Sequence, residues 1–239
     1  IESKMKPPIL NLFNKLLNLY GAQGWWPLLN IEGSNPTKSG SLQGYHPGDY
    51  SYPRNRQQQF QIIVGAVLTQ NTSWVQVERG LVSLQKNELL SPVKLTQNQD
   101  LTKACIRVCG YYNQKFDYLK SICKMVQKLT TKGDLWVTPS RQELLSLKGV
   151  GPETADTMLC YAFSQKQFIV DAYTRRVFQR LGWIEPKISY NKLKNLIESC
   201  LPDDLIIYQE FHALIVEFAK RLKVPTSSEN DLLNEICGQ

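Results

Sequence analysis

Residues 147–156 of the chain read LKGVGPETAD, and a later apolar run, FIVD, ends at Asp171. Gly149 and Gly151 flank Val150 between two helical patterns, which predicts a tight hairpin with outward-facing backbone amides. Glycine suits this hairpin because it adopts positive φ and lets a ligand approach the backbone closely. The amides would lie at the start of the next helix, where free N–H groups and the helix dipole favour an anion. The stretch therefore predicts a phosphate-binding hairpin that is followed by a carboxylate.

The composition indicates a globular protein with an anionic partner. The chain has 239 residues, of which 42% are hydrophobic and 21% are charged, so disorder is not expected. Its apolar runs fall short of the roughly 18 residues that span a bilayer, and no secretory leader is recognisable. We therefore expect a soluble protein of the cytoplasm, associated with the nucleoid if prokaryotic, with no membrane partner. The formal charge of +7 raises the odds of nucleic-acid binding modestly.

Apolar residues recur with helical spacing along almost the whole chain. The pattern predicts helices at about 9–20, 57–68, 74–84, 101–108, 113–129 and 140–147, and after the hairpin at about 153–163, 172–181, 190–201 and 206–222. Residues 33–56 are rich in Gly, Ser, Pro and Asn and have no period, which predicts a loop or insertion on the surface. Strand signals are few. The sequence therefore predicts an all-α fold.

The hairpin, the helix after it and the pair Val170-Asp171, in this order and at this separation, resemble the helix-hairpin-helix DNA glycosylases of the endonuclease III superfamily. The stretches 68–72 (LTQNT) and 110–115 (GYYNQK) also resemble that family, and the likeness covers about residues 57–223. It implies two helical lobes with a DNA-binding cleft between them. Residues 57–163 would form a central bundle that carries the hairpin, and residues 1–32 plus 164–239 would form the second lobe. The protein would be a monomer that acts on double-stranded DNA with a damaged base.

Asp171 is the candidate catalytic residue. Breaking an N-glycosidic bond builds positive charge on the sugar, so an ionised carboxylate beside the sugar lowers the barrier and orients a water molecule. The resemblance implies this role for Asp171. The alternative is that Asp171 only caps the helix that starts at Ala172, because aspartate favours such positions. Free amides and the helix dipole would keep the pKa of Asp171 low.

Glu153 stands where family members that also cut the DNA strand have a lysine, two residues after the second hairpin glycine. That lysine forms a Schiff base with the sugar, which a glutamate cannot do. The resemblance therefore implies a monofunctional glycosylase that uses water and has no lyase activity. The alternative for Glu153 is an acid in the first helical turn that complements the helix dipole.

Within the superfamily, the chain resembles a branch that removes alkylated purines. In that branch an N-terminal W-W-P and an aromatic residue after the T-Q-N-T loop line the base pocket, which corresponds here to Trp25, Trp26 and Trp74. Trp26 and Trp74 would sandwich a cationic base such as 3-methyladenine, for which cation–π attraction is worth about 1–2 kcal/mol. Glu153 would be a negative group in the same pocket, and no protonated acid is evident to activate a neutral leaving group. The alternative is that these tryptophans are core anchors.

The remaining predicted contacts are with the DNA backbone and the base stack. The amides of residues 149–151 would bind phosphate, and Lys148 and Lys115 would neutralise further phosphates. Gln70 would fill the gap that an extruded nucleotide leaves in the stack. The alternatives are a solvent-exposed loop glutamine and ordinary solvated charges.

No iron–sulfur cluster is expected, although many relatives carry a four-cysteine loop near the C-terminus. Of six cysteines only Cys237 lies in the tail, Cys200 is too far upstream, and no C-x-x-C occurs. A histidine-rich metal site is also not expected, because the chain has two histidines. By resemblance, the backbone carbonyls of Leu145, Leu147 and Val150 could hold a monovalent cation.

The sequence thus predicts a monofunctional DNA glycosylase of base excision repair that acts on alkylated purines such as 3-methyladenine. Two alternatives stay open: a glycosylase of the same fold for mismatched or deaminated bases, and a non-catalytic helix-hairpin-helix DNA-binding module. The Val170-Asp171 pair after the hairpin favours an enzyme over the module.

Overall fold

The chain folds mostly into helices with a small β-hairpin, which confirms the all-α prediction. The structure is a computed structural model and describes residues 6–37 and 43–237. The helices are α1 (Ile9–Tyr20), α2 (Arg56–Leu68), α3 (Trp74–Lys86), α4 (Pro92–Gln97), α5 (Gln99–Ile106), α6 (Tyr112–Val126), α7 (Arg141–Leu145), α8 (Pro152–Thr157), α9 (Ala172–Arg180), α10 (Tyr190–Glu198), α11 (Leu205–Arg221) and α12 (Ser227–Cys237). A 3₁₀ turn (Arg107–Cys109) and a π-helical turn (Met158–Ala162) extend α5 and α8. Among these described helices, none has the length and apolar character needed to cross a membrane.

Short polar side chains fix where several helices begin. Asn55 caps α2, Ser140 and Glu143 form a capping box at α7, and Asp171 and Asp204 cap α9 and α11. Such a cap is worth about 1 kcal/mol. The helix before the hairpin and the helix after the candidate carboxylate therefore start at positions that the local sequence specifies.

Two helices and a small β-hairpin lie outside the predicted elements. The helix α4 starts with Pro92 directly after Ser91, which is a start signal that the sequence carries. The helix α12 buries Leu232, Leu233 and Ile236 on one side. The hairpin pairs β1 (Thr131–Lys132) with β2 (Leu135–Trp136) in antiparallel register. Strands of two residues are too short to give a recognisable alternation of polar and apolar residues.

Two hydrophobic clusters organise the chain. The first is built around α2, which is buried from Gln59 to Leu68, and the second combines α1 with α9, α10, α11 and α12. Trp26 and Leu28 belong to the first cluster, whereas the sequence assigned residues 1–32 to the second lobe. The reason is that Gly65 lets the Trp26 indole pack directly on α2, where a Cβ would lie 3.1 Å from the indole nitrogen. Tyr45 is also buried, so residues 43–56 are not purely a surface loop.

A buried polar network connects the hairpin helix with the segment that leads to Asp171. Asp156 of α8 is fully buried and accepts hydrogen bonds from the Arg141 guanidinium at 2.7 and 3.1 Å. The Tyr190 hydroxyl donates to Asp156 at 2.8 Å and accepts from the Val170 N–H at 3.4 Å. A buried network whose members are paired fixes their relative positions. The hairpin helix and the Val170-Asp171 pair are therefore held together.

Candidate active site

The hairpin between α7 and α8 forms a tight turn in which the two glycines have different tasks. Gly149 has a φ of +81°, and a Cβ there would lie 2.1 Å from the Tyr118 ring. Gly151 is extended, with a φ of −89°, and a Cβ there would meet nothing within 4 Å. Only Gly149 therefore needs positive φ, while Gly151 leaves space for an anion to approach the helix start. The Val150 N–H donates to the Leu147 carbonyl at 3.2 Å, so this predicted phosphate donor is already engaged.

Gln70 is bonded to the hairpin and does not project freely, which differs from the predicted wedge. Its amide nitrogen donates to the Gly149 carbonyl at 2.9 Å and to the Thr154 hydroxyl at 3.0 Å. The two bonds connect the loop after α2 with the hairpin and the start of α8. Insertion of Gln70 into a base stack would break both of them, so in this conformation the side chain stabilises the hairpin.

Lys115 is not a phosphate contact, and that prediction is wrong. The residue is 2% exposed, and its Nζ donates to the Leu68 carbonyl at 2.8 Å, the Thr72 hydroxyl at 2.6 Å and the Cys109 carbonyl at 2.9 Å. All three ammonium hydrogens are used, and burial lowers the pKa of Lys115. The side chain therefore clamps the loop after α2 to the loop before α6.

Two exposed side chains near these loops remain available to a ligand. Lys148 has a side chain that is 65% exposed and pairs with Asp117 on the surface at 3.0 Å. Tyr111 is 72% exposed and has a φ of +46°, so the loop before α6 presents an aromatic ring to solvent. Tyr111 was not among the predicted site residues, although Gly110 before it and its place in the GYYNQK stretch mark the position.

Asp171 is both the N-cap of α9 and part of a buried polar cluster. Its Oδ1 accepts from the Thr174 N–H at 2.7 Å and from the Thr174 hydroxyl at 2.9 Å. Its Oδ2 lies 3.4 Å from Nε2 of His212, and the side chain is 13% exposed. Burial acts to raise the pKa of Asp171, but His212 and the bonds from Thr174 outweigh it, so the pKa lies below its ordinary value. The cap and the catalytic carboxylate are therefore compatible interpretations of one residue.

His212 on α11 is the residue that sequence reasoning missed. It is 4% exposed, and its Nδ1 lies 3.0 Å from the Tyr161 hydroxyl, which also lies 2.9 Å from the Gln209 carbonyl. The Trp25 ring packs edge-on against the imidazole, with ring centroids 5.5 Å apart. Because α11 is buried on nearly all sides, a single histidine in its sequence carries no signal that would distinguish it from a core residue.

Glu153 lies in the first turn of α8, directly after the hairpin, and keeps contact with solvent. Protein surrounds it closely enough that desolvation, together with the charge of Asp171, raises the pKa of Glu153 to about 7, while His212 and Arg175 oppose the shift. A pKa raised toward neutrality makes Glu153 a candidate proton donor, which the sequence did not indicate. Two nearby carboxyls with pKa values pushed apart are typical of sites with separate acid and base roles.

The predicted sandwich of Trp26 and Trp74 is not formed. Trp26 is 5% exposed, and its ring meets that of Trp74 edge-on, with centroids 5.2 Å apart and planes at 87°. Perpendicular rings in contact leave no slot for a base between them. Trp74 instead lines a cavity of about 180 Å³ between the Leu28 segment and α3, and neither Asp171 nor Glu153 lines this cavity. Trp25, which contacts His212, is the tryptophan closest to the candidate chemistry.

The carbonyls of Leu145, at the end of α7, and of Leu147 and Val150, in the hairpin turn, are of the donor type that suits a monovalent cation. The Leu147 oxygen accepts one bond from the Val150 N–H and keeps a second lone pair. Carbonyl oxygens can replace the hydration shell of such an ion. Within residues 6–37 and 43–237, no group of three or more His, Cys, Asp or Glu side chains is arranged to hold a metal ion.

Comparison with known proteins identifies the family to which the chain is related. Residues 64–203 match the family described as HhH-GPD superfamily base excision DNA repair proteins. The chain is 38% identical over 237 residues to a Methanocaldococcus jannaschii protein provisionally named a DNA repair glycosylase, covering 96% of this chain and 95% of that relative. It is 28% identical over 190 residues to endonuclease III of Thermotoga maritima, covering 77% and 83% of the two chains. The structure of H. pylori 3-methyladenine DNA glycosylase bound to 1,N6-ethenoadenine has the same fold, with a TM-score of 0.70, 24% identity and coverage of 90% and 98%.

Proposed function

The chain belongs to the HhH-GPD superfamily of base excision DNA repair proteins, and we propose that it is a monofunctional DNA glycosylase that releases alkylated purines such as 3-methyladenine. Membership confirms the predicted resemblance to helix-hairpin-helix glycosylases of the endonuclease III type. Family membership does not include the substrate or the lack of lyase activity, which we propose from the residues of the site. We further propose that the protein acts as a monomer on double-stranded DNA, in the cytoplasm or nucleoid.

One observation carries this proposal: the Asp171 carboxylate, held by Thr174 and facing His212, lies near Glu153, which occupies the position of the lyase lysine. Asp171 would stabilise the positive sugar and orient the attacking water. Losing one such preorganised group typically costs about 3 kcal/mol of transition-state stabilisation. The hairpin amides and Lys148 would hold the DNA backbone while the base is extruded.

The lysines near the hairpin support a hydrolytic mechanism without a Schiff base. Lys148 pairs with Asp117 at 3.0 Å, and Lys166 pairs with Asp203 at 2.9 Å. Lys115 uses all three hydrogens inside the protein. A Schiff base needs a neutral amine beside the sugar; Lys115 is buried and fully bonded, and Lys148 and Lys166 lie outside the position of the family lysine, which Glu153 occupies.

The environment of the carboxylates supports a cationic base as substrate. Trp25 offers an aromatic ring beside His212, and the ionised fraction of Glu153 favours a positive base such as 3-methyladenine. The protonated fraction of Glu153 also favours a second candidate. With its pKa of about 7, Glu153 could donate a proton to a neutral leaving base. A glycosylase for a deaminated or otherwise uncharged modified base is therefore the alternative.

We propose that a monovalent cation binds at the hairpin and that the protein has no iron–sulfur cluster. The carbonyls of Leu145, Leu147 and Val150 would hold a monovalent cation that supports the hairpin against phosphate. The cysteine spacing of the sequence supports the absence of an iron–sulfur cluster.

A panel of duplexes with one modified base each tests the substrate. We expect 3-methyladenine to be released fastest, with hypoxanthine, uracil and thymine opposite guanine released much more slowly. Faster release of one of these neutral bases would overturn the alkylpurine assignment. Glu153→Gln separates the two candidates, because it should slow release of 3-methyladenine only modestly, through loss of a negative charge near the cationic base, and should abolish release of a neutral base that needs a proton.

Trp25→Ala and Trp74→Ala form a matched pair in the same assay. Trp25→Ala should weaken excision of 3-methyladenine by about 1–3 kcal/mol, the range for loss of base–aromatic stacking. Trp74→Ala should have a smaller effect, because Trp74 lines the cavity beside α3, whereas Trp25 contacts His212. The opposite order would return the base pocket to the predicted position beside Trp74.

A further inference from the structure

We propose that His212 is a positioning residue, which holds the Asp171 carboxylate through Nε2–H and is itself held by the Tyr161 hydroxyl. The inference rests on the proposed function for the role of Asp171. It starts from the contacts of Oδ2 with Nε2 at 3.4 Å and of Nδ1 with the Tyr161 hydroxyl at 3.0 Å.

The contacts of Asp171 occupy most of the lone-pair sites of its carboxylate. An ionised carboxylate has about four lone-pair sites. Oδ1 of Asp171 uses both of its sites on the Thr174 N–H and hydroxyl, and Oδ2 uses one on His212. The remaining site on Oδ2 is therefore the one that can face a sugar or a water molecule. His212 contacts the same oxygen and so determines the direction of that site.

The hydrogen-bond partners of the His212 imidazole indicate that Nε2 carries a hydrogen. An ionised carboxylate only accepts hydrogen bonds, so an attractive contact with Asp171 requires a proton on Nε2. The Tyr161 hydroxyl has one hydrogen and two partners, Nδ1 of His212 and the Gln209 carbonyl. If it donates to Gln209, Nδ1 carries a second proton and donates to Tyr161; if it donates to Nδ1, the ring is neutral. Nε2–H faces Asp171 in both arrangements.

The surroundings fix the ring in this orientation. Tyr161 lies in the π-helical turn after α8 and is 2% exposed, and π-helical turns often occur at functional sites. Trp25 packs edge-on against the imidazole at 87°. The distance of 3.4 Å is long for a hydrogen bond, and contacts in a catalytic site commonly shorten when substrate binds. Residues from both hydrophobic clusters thus converge on Asp171, because Tyr161 belongs to the first cluster and α11, which carries His212, to the second.

Two conservative variants of His212 form the test. Glutamine can place an amide N–H2 near the position of Nε2, whereas asparagine can place one near Nδ1 only. We expect His212→Asn to slow single-turnover release of 3-methyladenine by about 10-fold or more, the size of a lost hydrogen bond to a charged group. His212→Gln should restore most of the rate, and duplex affinity should be equal in both. Equal rates for the two variants, or rescue by asparagine alone, would overturn the proposal.

A second readout does not depend on base release. The chain has two histidines, so the ring N–H signals in an ¹⁵N-labelled sample can be assigned by comparison with His212→Gln. We expect an Nε2–H signal of His212 in the wild type and its loss or marked shift in Asp171→Asn. A bare Nε2 in the wild type would overturn the proposal. If no duplex is processed, the proposed function fails, while the spectrum still decides whether His212 holds Asp171.

Discussion

Asp171→Asn separates catalysis from helix capping, because asparagine keeps the oxygen that caps α9 but lacks the negative charge. The asparagine oxygen can still accept from the Thr174 N–H, and asparagine caps helices about as well as aspartate. Loss of the negative charge at the helix start costs about 0.5–1 kcal/mol of unfolding free energy. Loss of the carboxylate from the reaction should cost about 3 kcal/mol of transition-state stabilisation, which is roughly 100-fold in rate. Single-turnover release of 3-methyladenine and thermal unfolding measure the two effects separately.

Asp204→Asn is the matched control. Asp204 caps α11 by accepting from the N–H groups of Ile206 and Ile207, and it lies eight residues before His212, about 12 Å along the helix axis. Its replacement should lower stability by a similar small amount and leave the rate of base release unchanged. If Asp171→Asn lowers stability alone and keeps its turnover, Asp171 is a cap and the proposed mechanism is wrong.

Three further predictions concern Glu153, Lys115 and the iron content of the protein. The folded pKa of Glu153 is raised to about 7 from an ordinary value of 4.5, so the wild type loses stability as pH rises between these values. Because Glu153 keeps solvent contact, Glu153→Gln should gain only about 1 kcal/mol over the wild type at pH 8 and almost nothing at pH 4, as urea unfolding can show; an equal gain at both pH values would contradict the raised pKa. Lys115→Met should lower the unfolding free energy by about 3 kcal/mol, because the Leu68 and Cys109 carbonyls and the Thr72 hydroxyl each lose a hydrogen bond from the ammonium group, while Lys148→Met should change it little. Freshly purified protein should be colourless and hold no stoichiometric iron, whereas absorbance at about 400 nm with matching iron content would refute the cluster-free assignment.

Most of the fold could be predicted from the sequence because its signals are local. Apolar spacing located the helices from α5 to α11, and the glycine pair and the aspartate cap located the hairpin and the start of α9. The weaker signals failed where the element was short, as in α4 and the two-residue strands. The contact of Trp26 with Gly65 could not be predicted for another reason: the two residues are distant in sequence, and no local pattern reports the contact.

The candidate site could be predicted only in part, because its side chains depend on tertiary contacts. A lysine in a loop stretch reads as a phosphate ligand, yet Lys115 turns inward to three backbone and hydroxyl oxygens. A loop glutamine reads as free, yet Gln70 is bonded to the hairpin. His212 contacts Asp171 from a helix 41 positions further along the chain (212 − 171), where nothing in the surrounding apolar sequence marks it.

Base release by this protein should be hydrolytic and leave the DNA strand intact. The direct test uses a labelled duplex with one 3-methyladenine, incubated with the protein and divided into three portions. One portion is run directly, one after hot alkali, and one after treatment with borohydride. We predict an intact strand in the first portion, a cut strand in the second, and no covalent protein–DNA band in the third. A cut strand without alkali, or a trapped covalent band formed as fast as the base is released, would contradict the claim.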